Sequence, residues 1–258
     1  MATRILHTID PKDQAEVRRV QDLCHKLHLM PPPVAYVGLQ TRICPPELLV
    51  DGKIPDGLKL DELGIEPALV YDARAQSWVR NAYNIVVTQM CGLLGAEGLT
   101  YGAGGLYNRS TAGSDRNAVS GFNHWINKPE FWVGAVGSNV QGIVVGTGTG
   151  AESFEHHALG TIVAHGGGAG QMSYTAQDVT TASYNAGTKV WTSTMIRYLN
   201  NNSGGAIVIG EAGIYVYVYS ASQGYQMLCR DLLAATVNVP DTAQLKVTYT
   251  IESMAYPA

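Results

Sequence analysis

From Ile214 to Tyr219 the chain alternates strictly: Ile214, Val216 and Val218 are aliphatic, and Tyr215, Tyr217 and Tyr219 lie between them. Alternation with period two places the two sets on opposite faces of one strand. A second strand-like run follows at Tyr225 to Leu232 and a third at Gln244 to Glu252. In the third run Leu245, Val247, Tyr249 and Ile251 face one way, and Lys246, Thr248 and Thr250 the other. The joints between the runs, Ser220 to Gly224 and Val239 to Ala243, are short and turn-rich, so antiparallel pairing is expected. The segment reads as a surface built to pack, with no catalytic apparatus in it.

Composition fits a β-rich protein with a sizeable core. The chain has 258 residues, 46% of them hydrophobic, and 29 glycines. That length allows one large domain or two smaller ones. A net charge of −4 argues against a nucleic-acid surface as the main task. No signal sequence is recognisable at the start, and no run of about 18 apolar residues could span a bilayer. The expected location is a cytoplasm, or a particle assembled in one. Cys24, Cys44, Cys91 and Cys229 show no C-x-x-C spacing, so they read as reduced, buried thiols rather than zinc ligands. Disulfide formation in a released particle is the alternative.

Charge divides the chain. Residues 1–80 hold 10 Lys and Arg with 11 Asp and Glu, whereas the other 178 residues hold 7 and 10. The opening segment therefore reads as a docking region and the rest as an apolar body, with a boundary near residue 70. Asp10 as cap, Pro11 at the first helical position, and Val17, Val20, Leu23, Cys24 and Leu27 predict an N-terminal helix. Pro31-Pro32-Pro33 ends it and starts an extended connector. Pro45-Pro46, Pro55 and Pro67 then break the next stretch of chain into an irregular arm. The arm and helix could reach a neighbouring subunit or pack on their own domain. A second helix is expected from Ser77 to Leu94, with Trp78, Ala82, Ile85, Val86 and Met90 as its apolar stripe. The β-favouring run Ile85 to Thr88 competes with that reading. Gly92 to Gly121 reads as loops with short strands, and Phe131 to Val145 as another β-like segment.

Four features invite an enzymatic reading. Gly146-Thr147-Gly148-Thr149-Gly150-Ala151 fits G-x-G-x-x-[GA], but it lacks the βαβ context and the acidic residue of a dinucleotide site, and reads as a glycine turn. His165-Gly166-Gly167-Gly168 mimics an oxyanion-hole loop, yet the chain has no G-x-S-x-G and no histidine after His165. His156, His157, His165, Glu152 and Glu155 could in principle ligate a divalent ion, with Glu152 and His156 sharing a face only on a helix; solvated loop residues are the default. Arg230-Asp231 has no nucleophile or metal beside it. Arg230 is expected instead to pair with Glu211 across adjacent strands. No catalytic residue, cofactor or metal site is assigned.

Several elements resemble virion structural proteins of tailed bacteriophages. Asn201-Asn202-Ser203-Gly204 is similar to the NNSG step of those proteins, and Val208-Ile209-Gly210-Glu211-Ala212-Gly213-Ile214-Tyr215 to the V-x-E-x-G-[IL]-Y strand after it. Leu228-Cys229-Arg230-Asp231 resembles their L-x-[RD]-D strand, and Leu245 to Ile251 the closing L-x-V-x-Y-x-[IF] strand. Upstream, Ser77-Trp78-Val79-Arg80-Asn81-Ala82-Tyr83-Asn84 resembles an SW-x-RN-x-[YW]-N element, and Ile143 to Tyr174 their middle. The resemblance covers residues 71–252 in pieces. It implies a non-enzymatic structural subunit at the neck or tail (collar, adaptor or baseplate), or a decoration or cement protein on the capsid. It also implies partners among virion proteins, including further copies of this chain by symmetric homo-oligomerisation. Tyr215, Tyr217 and Tyr219 are candidates for an intersubunit contact or an intrachain one beneath the N-terminal arm, since tyrosine suits half-wet packing, and a host glycan is their alternative ligand. Trp78, Arg80, Asn81, Glu211 and Arg230 are further structural or interface candidates. The expected fold is mainly β, an antiparallel β-sandwich over residues 71–258 preceded by a helix and extended docking arm over residues 1–70.

Overall fold

A computed structural model describes residues 34–75, 78–91, 108–116, 132–187, 190–218 and 224–255, together with Arg19, Leu23 and Lys26. The chain is mainly β with antiparallel sheets. In order it runs β1 (Val34–Ile43), a 3-10 turn (Pro46–Leu48), β2 (Leu69–Ala75), α1 (Arg80–Cys91), β3 (Asn108–Arg109), β4 (Asp115–Arg116) and β5 (Gly142–Gly146). It continues with β6 (Ser173–Tyr174), β7 (Thr181–Asn185), β8 (Val190–Asn200), β9 (Ile207–Val218), β10 (Gly224–Val239) and β11 (Ala243–Ala255). Most of the expected N-terminal helix, most of the glycine-rich stretch 92–121, Cys24 and Tyr219 lie outside the described residues.

The larger sheet has the order β2-β1-β11-β8-β6, with β7 also on β8; the smaller has the order β10-β9-β5. Both derive from the alternations of the last third. Leu245, Val247 and Tyr249 face inward on β11, opposite Leu199, Arg197 and Met195 of β8 on one side and Thr41, Leu39 and Val37 of β1 on the other. Ile207, Ile209, Ala212, Ile214 and Val216 of β9, with Ile143 and Val145 of β5, join the same buried cluster from the smaller sheet. Their inward phase changes at Gly210-Glu211, where β9 and β10 shift register between Leu232 and Val237. That irregularity turns the Glu211 side chain away from the apolar cluster.

The boundary near residue 70 is corrected by β1. Val34–Ile43 is an interior strand between β2 and β11, and Val37 and Leu39 are buried in the main core. The missed signal is its own alternation, Ala35-Val37-Leu39-Thr41, which the neighbouring prolines obscured. The proline-broken segment after it is irregular as expected, but it is tied to the chain's own sheet. Cys44, Ile54 and Leu60 form a second buried cluster with Leu48, Leu49, Leu58 and Ile65. Its backbone is satisfied from β11 and the turn after β8. The Leu60 N–H donates to Gln244 Oε1 (2.9 Å), Gln244 Nε2 donates to the Leu58 carbonyl (2.7 Å), and the Asn202 amide holds both backbone groups of Ile54. Lys246 Nζ reaches Asp61 at 2.6 Å.

Gln244→Leu keeps the apolar bulk and strands the Leu60 N–H and Leu58 carbonyl. Urea unfolding is expected to show a loss of about 1–3 kcal/mol, against under about 0.5 kcal/mol for an ordinary surface substitution.

Candidate functional site

Opposite the shared core, the outer side of the smaller sheet is covered by the chain between β5 and β6. Val144, Tyr215 and Met227 form a buried cluster there with Val79 and Leu159. The Tyr215 hydroxyl accepts the Leu159 N–H at 2.7 Å, and burial holds its pKa well above the usual tyrosine value. Tyr215 is thus an internal residue, fully buried under its own chain. Tyr217 is half-buried and packs edge-on against Tyr225 at 4.9 Å between ring centres. The three tyrosines do not form an open ladder at position 215.

The structure brings Glu211 and Arg230 together. Arg230 Nε donates to Glu211 Oε2 at 2.6 Å, with the two side chains 3% and 0% exposed. The carboxylate also accepts three backbone N–H groups, from Gly148 (3.1 Å), Gly160 (3.1 Å) and Thr161 (2.9 Å). Arg230 in turn donates to the carbonyls of Gly150 (2.8 Å) and Ala151 (3.1 Å) and to His156 Nδ1 (3.0 Å). One buried ion pair thereby binds both ends of a long strap, residues 147–161. This explains the glycine run: a Cβ on Gly148 would collide with the Glu211 carboxylate, and one on Gly146 would lie 2.6 Å from it and 2.5 Å from the Thr161 carbonyl. The glycines admit an internal carboxylate, where a dinucleotide site would admit a phosphate.

Arg230 and Asp231 diverge, as neighbours on a strand must. Asp231 turns between the sheets and accepts the Tyr249 hydroxyl at 2.8 Å, beside the buried thiol of Cys229, whose pKa burial drives up. Cys44 and Cys229 are both free and buried.

The remaining candidates are tied to this body. Val79 N–H donates to the Leu228 carbonyl at 3.0 Å, and Trp78 bridges to Cys229. Arg80 forms an ion pair with Glu155, and its N–H donates to the Phe154 carbonyl. Asn81, fully buried, donates to the carbonyls of Arg109 (2.8 Å) and Met227 (3.1 Å) and accepts the Arg109 N–H (2.8 Å). The helix begins at Arg80, three residues later than expected at Ser77. Of its expected stripe, Ile85 is buried and Trp78 and Ala82 pack on the core.

The possible metal ligands are dispersed among these ties. Glu155 holds Arg80, Glu152 Oε1 accepts the Leu232 N–H (2.6 Å), His156 faces Arg230, and His165 Nδ1 accepts the Tyr174 N–H (3.2 Å). Among the described residues no group of three or more His, Cys, Asp or Glu side chains is placed to hold an ion. In the His165-Gly166-Gly167-Gly168 turn, the N–H groups of Gly166 and Gly168 donate to the Met172 carbonyl and to Gln171 Oε1.

Sequence reading missed Arg197. It occupies an inward position of β8 between Met195 and Leu199 and is fully buried. Its guanidinium donates to the carbonyls of Thr175 (3.1 Å), Gln141 (2.9 Å), Ile143 (2.9 Å) and Ala135 (2.8 Å), and lies 4.9 Å from the Tyr174 ring centre. Burial pulls its pKa down to about 10, so it stays charged at neutral pH. Gly134 is required beside it, since a Cβ there would lie 2.6 Å from Arg197 Cζ. The signal was present in the alternation Met195-Arg197-Leu199, a charged residue in an apolar phase.

No protein-family model, no characterised protein and no solved structure matches this chain.

Arg197→Met leaves several buried carbonyls without a donor at the seam between the sheets. The expected cost is about 3 kcal/mol or more, since each stranded group costs about 1–3 kcal/mol, measured by urea unfolding. Arg197→Lys is expected to recover only part of it, because an ammonium cannot span a fork-shaped set of acceptors.

Proposed function

We propose that the chain is a non-enzymatic structural subunit of a tailed-phage particle, an antiparallel β-sandwich acting in many copies through shape and buried area. The observation that supports this best is how its conspicuous residues are used. Glu211, Arg230, Trp78 and Asn81, the residues of the phage-like elements, all tie loops and helix to the sheets. The NNSG step is likewise a joint: Asn201 Nδ2 donates to the carbonyls of Gly205, Val239 and Pro240, locking the turn before β9 to the end of β10. Charged groups held in this way serve rigidity rather than turnover.

The surfaces left for neighbouring subunits are sheet margins. Leu69 and Val70 are exposed on β2, which has no outer neighbour among the described residues. At the opposite margin, all of β7 is exposed, and Tyr184 and Trp191 pack as an exposed pair with ring centres 5.2 Å apart. Unpaired edges and exposed aromatic residues are what subunit contacts use. The neck or tail is the favoured station and the capsid surface the second. The partners are further copies and other virion proteins, in a particle assembled in the host cytoplasm. A glycan-binding role, the alternative, has its support in the exposed Tyr184–Trp191 pair and not in Tyr215.

The test is the mass of the purified protein by light scattering coupled to size exclusion, with negative-stain images of the peak. A closed ring of about six or twelve copies fits the neck or tail, as symmetric closed assemblies do. A trimer, or a monomer that binds preformed capsids, fits decoration. A monomer that binds no particle component and does bind host polysaccharide contradicts the structural role.

A further inference from the structure

The strap over the smaller sheet contains one group whose protonation is incompatible with its surroundings. His156 Nδ1 accepts two N–H groups, from Ser153 at 3.1 Å and from Arg230 Nη1 at 3.0 Å. An arginine can only donate, so the closed strap requires a neutral imidazole with its proton on Nε2. A proton can be added only at Nδ1, where it would face two donors and a guanidinium. We propose that residues 150–157 form an acid-released flap, in which protonation of His156 uncouples the strap from Arg230 while both ends stay pinned to Glu211.

The charges around His156 set the balance. Arg230 on β10 and the adjacent His157 oppose the imidazolium, as does burial, the largest influence; Glu211 on β9 and Glu152 on the strap favour it. Glu155 is held by Arg80 of α1. The net effect depresses the His156 pKa below its ordinary 6.5. The closed flap therefore has its full advantage above about pH 6.5, where the imidazole is neutral in both forms. As pH falls below that value the open form takes up a proton that the closed form resists, and the advantage declines until the depressed closed-state value is passed.

The other ties of the flap resist this weakly. Glu152 with the Leu232 N–H, and Glu155 with Arg80, lie at the solvent-exposed surface, where such contacts contribute about 1 kcal/mol or less, and the Phe154 carbonyl accepts the Arg80 N–H, a single bond of about 0.5–1.5 kcal/mol net. The ends are held differently. Gly148, Gly160 and Thr161 donate to the buried Glu211 carboxylate, and Leu159 to the buried Tyr215 hydroxyl. Opening is thus confined to the segment between two anchors, and it transfers the Arg230 Nη groups from the Gly150 and Ala151 carbonyls to water.

Hydrogen exchange followed by mass spectrometry tests this at about pH 7.5 and pH 5, with rates corrected for intrinsic chemistry. Peptides covering residues 150–157 are expected to lose protection at the lower pH, the direction set by the depressed closed-state pKa of His156. Peptides from β9 are expected to keep theirs. In His156→Gln, and in His156→Asn as a second neutral variant, the flap's protection is expected to be independent of pH. Three results overturn the proposal: equal flap protection at both pH values, the same acid loss in the neutral variants, or a parallel loss in β9 that marks global unfolding. The proposal stands apart from the virion reading, since each of these outcomes is read on the isolated protein.

Discussion

A single buried carboxylate organises one side of this protein. Removing a charge from water costs many kcal/mol unless hydrogen bonds and an opposite charge replace the solvent. Glu211 has both, the Arg230 Nε–H on one oxygen and three backbone N–H groups shared between the two. The same bonds solve a second problem. A strap of some fifteen residues with little regular structure needs partners for its own backbone where it crosses a sheet. Glu211 takes strap N–H groups and Arg230 takes strap carbonyls, so the ion pair does for the strap what a neighbouring strand would have done. The glycines at 146, 148 and 210 are required for the same reason, because only a bare backbone can approach that closely.

Arg197 is the complementary case, a buried cation with carbonyls rather than a carboxylate around it. Four carbonyls and the face of Tyr174 replace its hydration, the aromatic contact being favourable through the ring's negative face. Its donors run from a strand of the larger sheet to the Ile143 carbonyl of β5 in the smaller one. Apolar packing alone would hold the sheets together but would specify their offset poorly. A fork with fixed geometry, bonded on both sides, sets it.

The regular parts were legible where alternation was undisturbed. The run Ile214 to Val216 and the inward set Leu245, Val247 and Tyr249 occupy the faces that their phase implies. The Glu211 and Arg230 positions could be matched because both stand out as charges in apolar strands. What local pattern could not convey was what covers the outer sheet faces. Nothing in the alternation says that Tyr215 lies beneath residues 147–161, or that Cys44, Ile54 and Leu60 fold back on the larger sheet, since those contacts join residues over 50 positions apart. Proline misled in one place: the prolines flanking Val34–Ile43 suggested an arm, while the strand between them carried its own two-residue period. Arg197 was hidden for a different reason, being a polar residue in an inward phase whose partners are all backbone atoms.

The most direct measurement is a double-mutant cycle on Glu211→Gln and Arg230→Met, read as unfolding free energy in urea. If the pair is the organising tie, each single substitution strands a buried charge and costs about 3–5 kcal/mol. The double variant then costs markedly less than the two together, because the second change removes the charge that the first left alone. Single costs below about 0.5 kcal/mol, the range of ordinary surface substitutions, or two costs that simply add, would contradict the account.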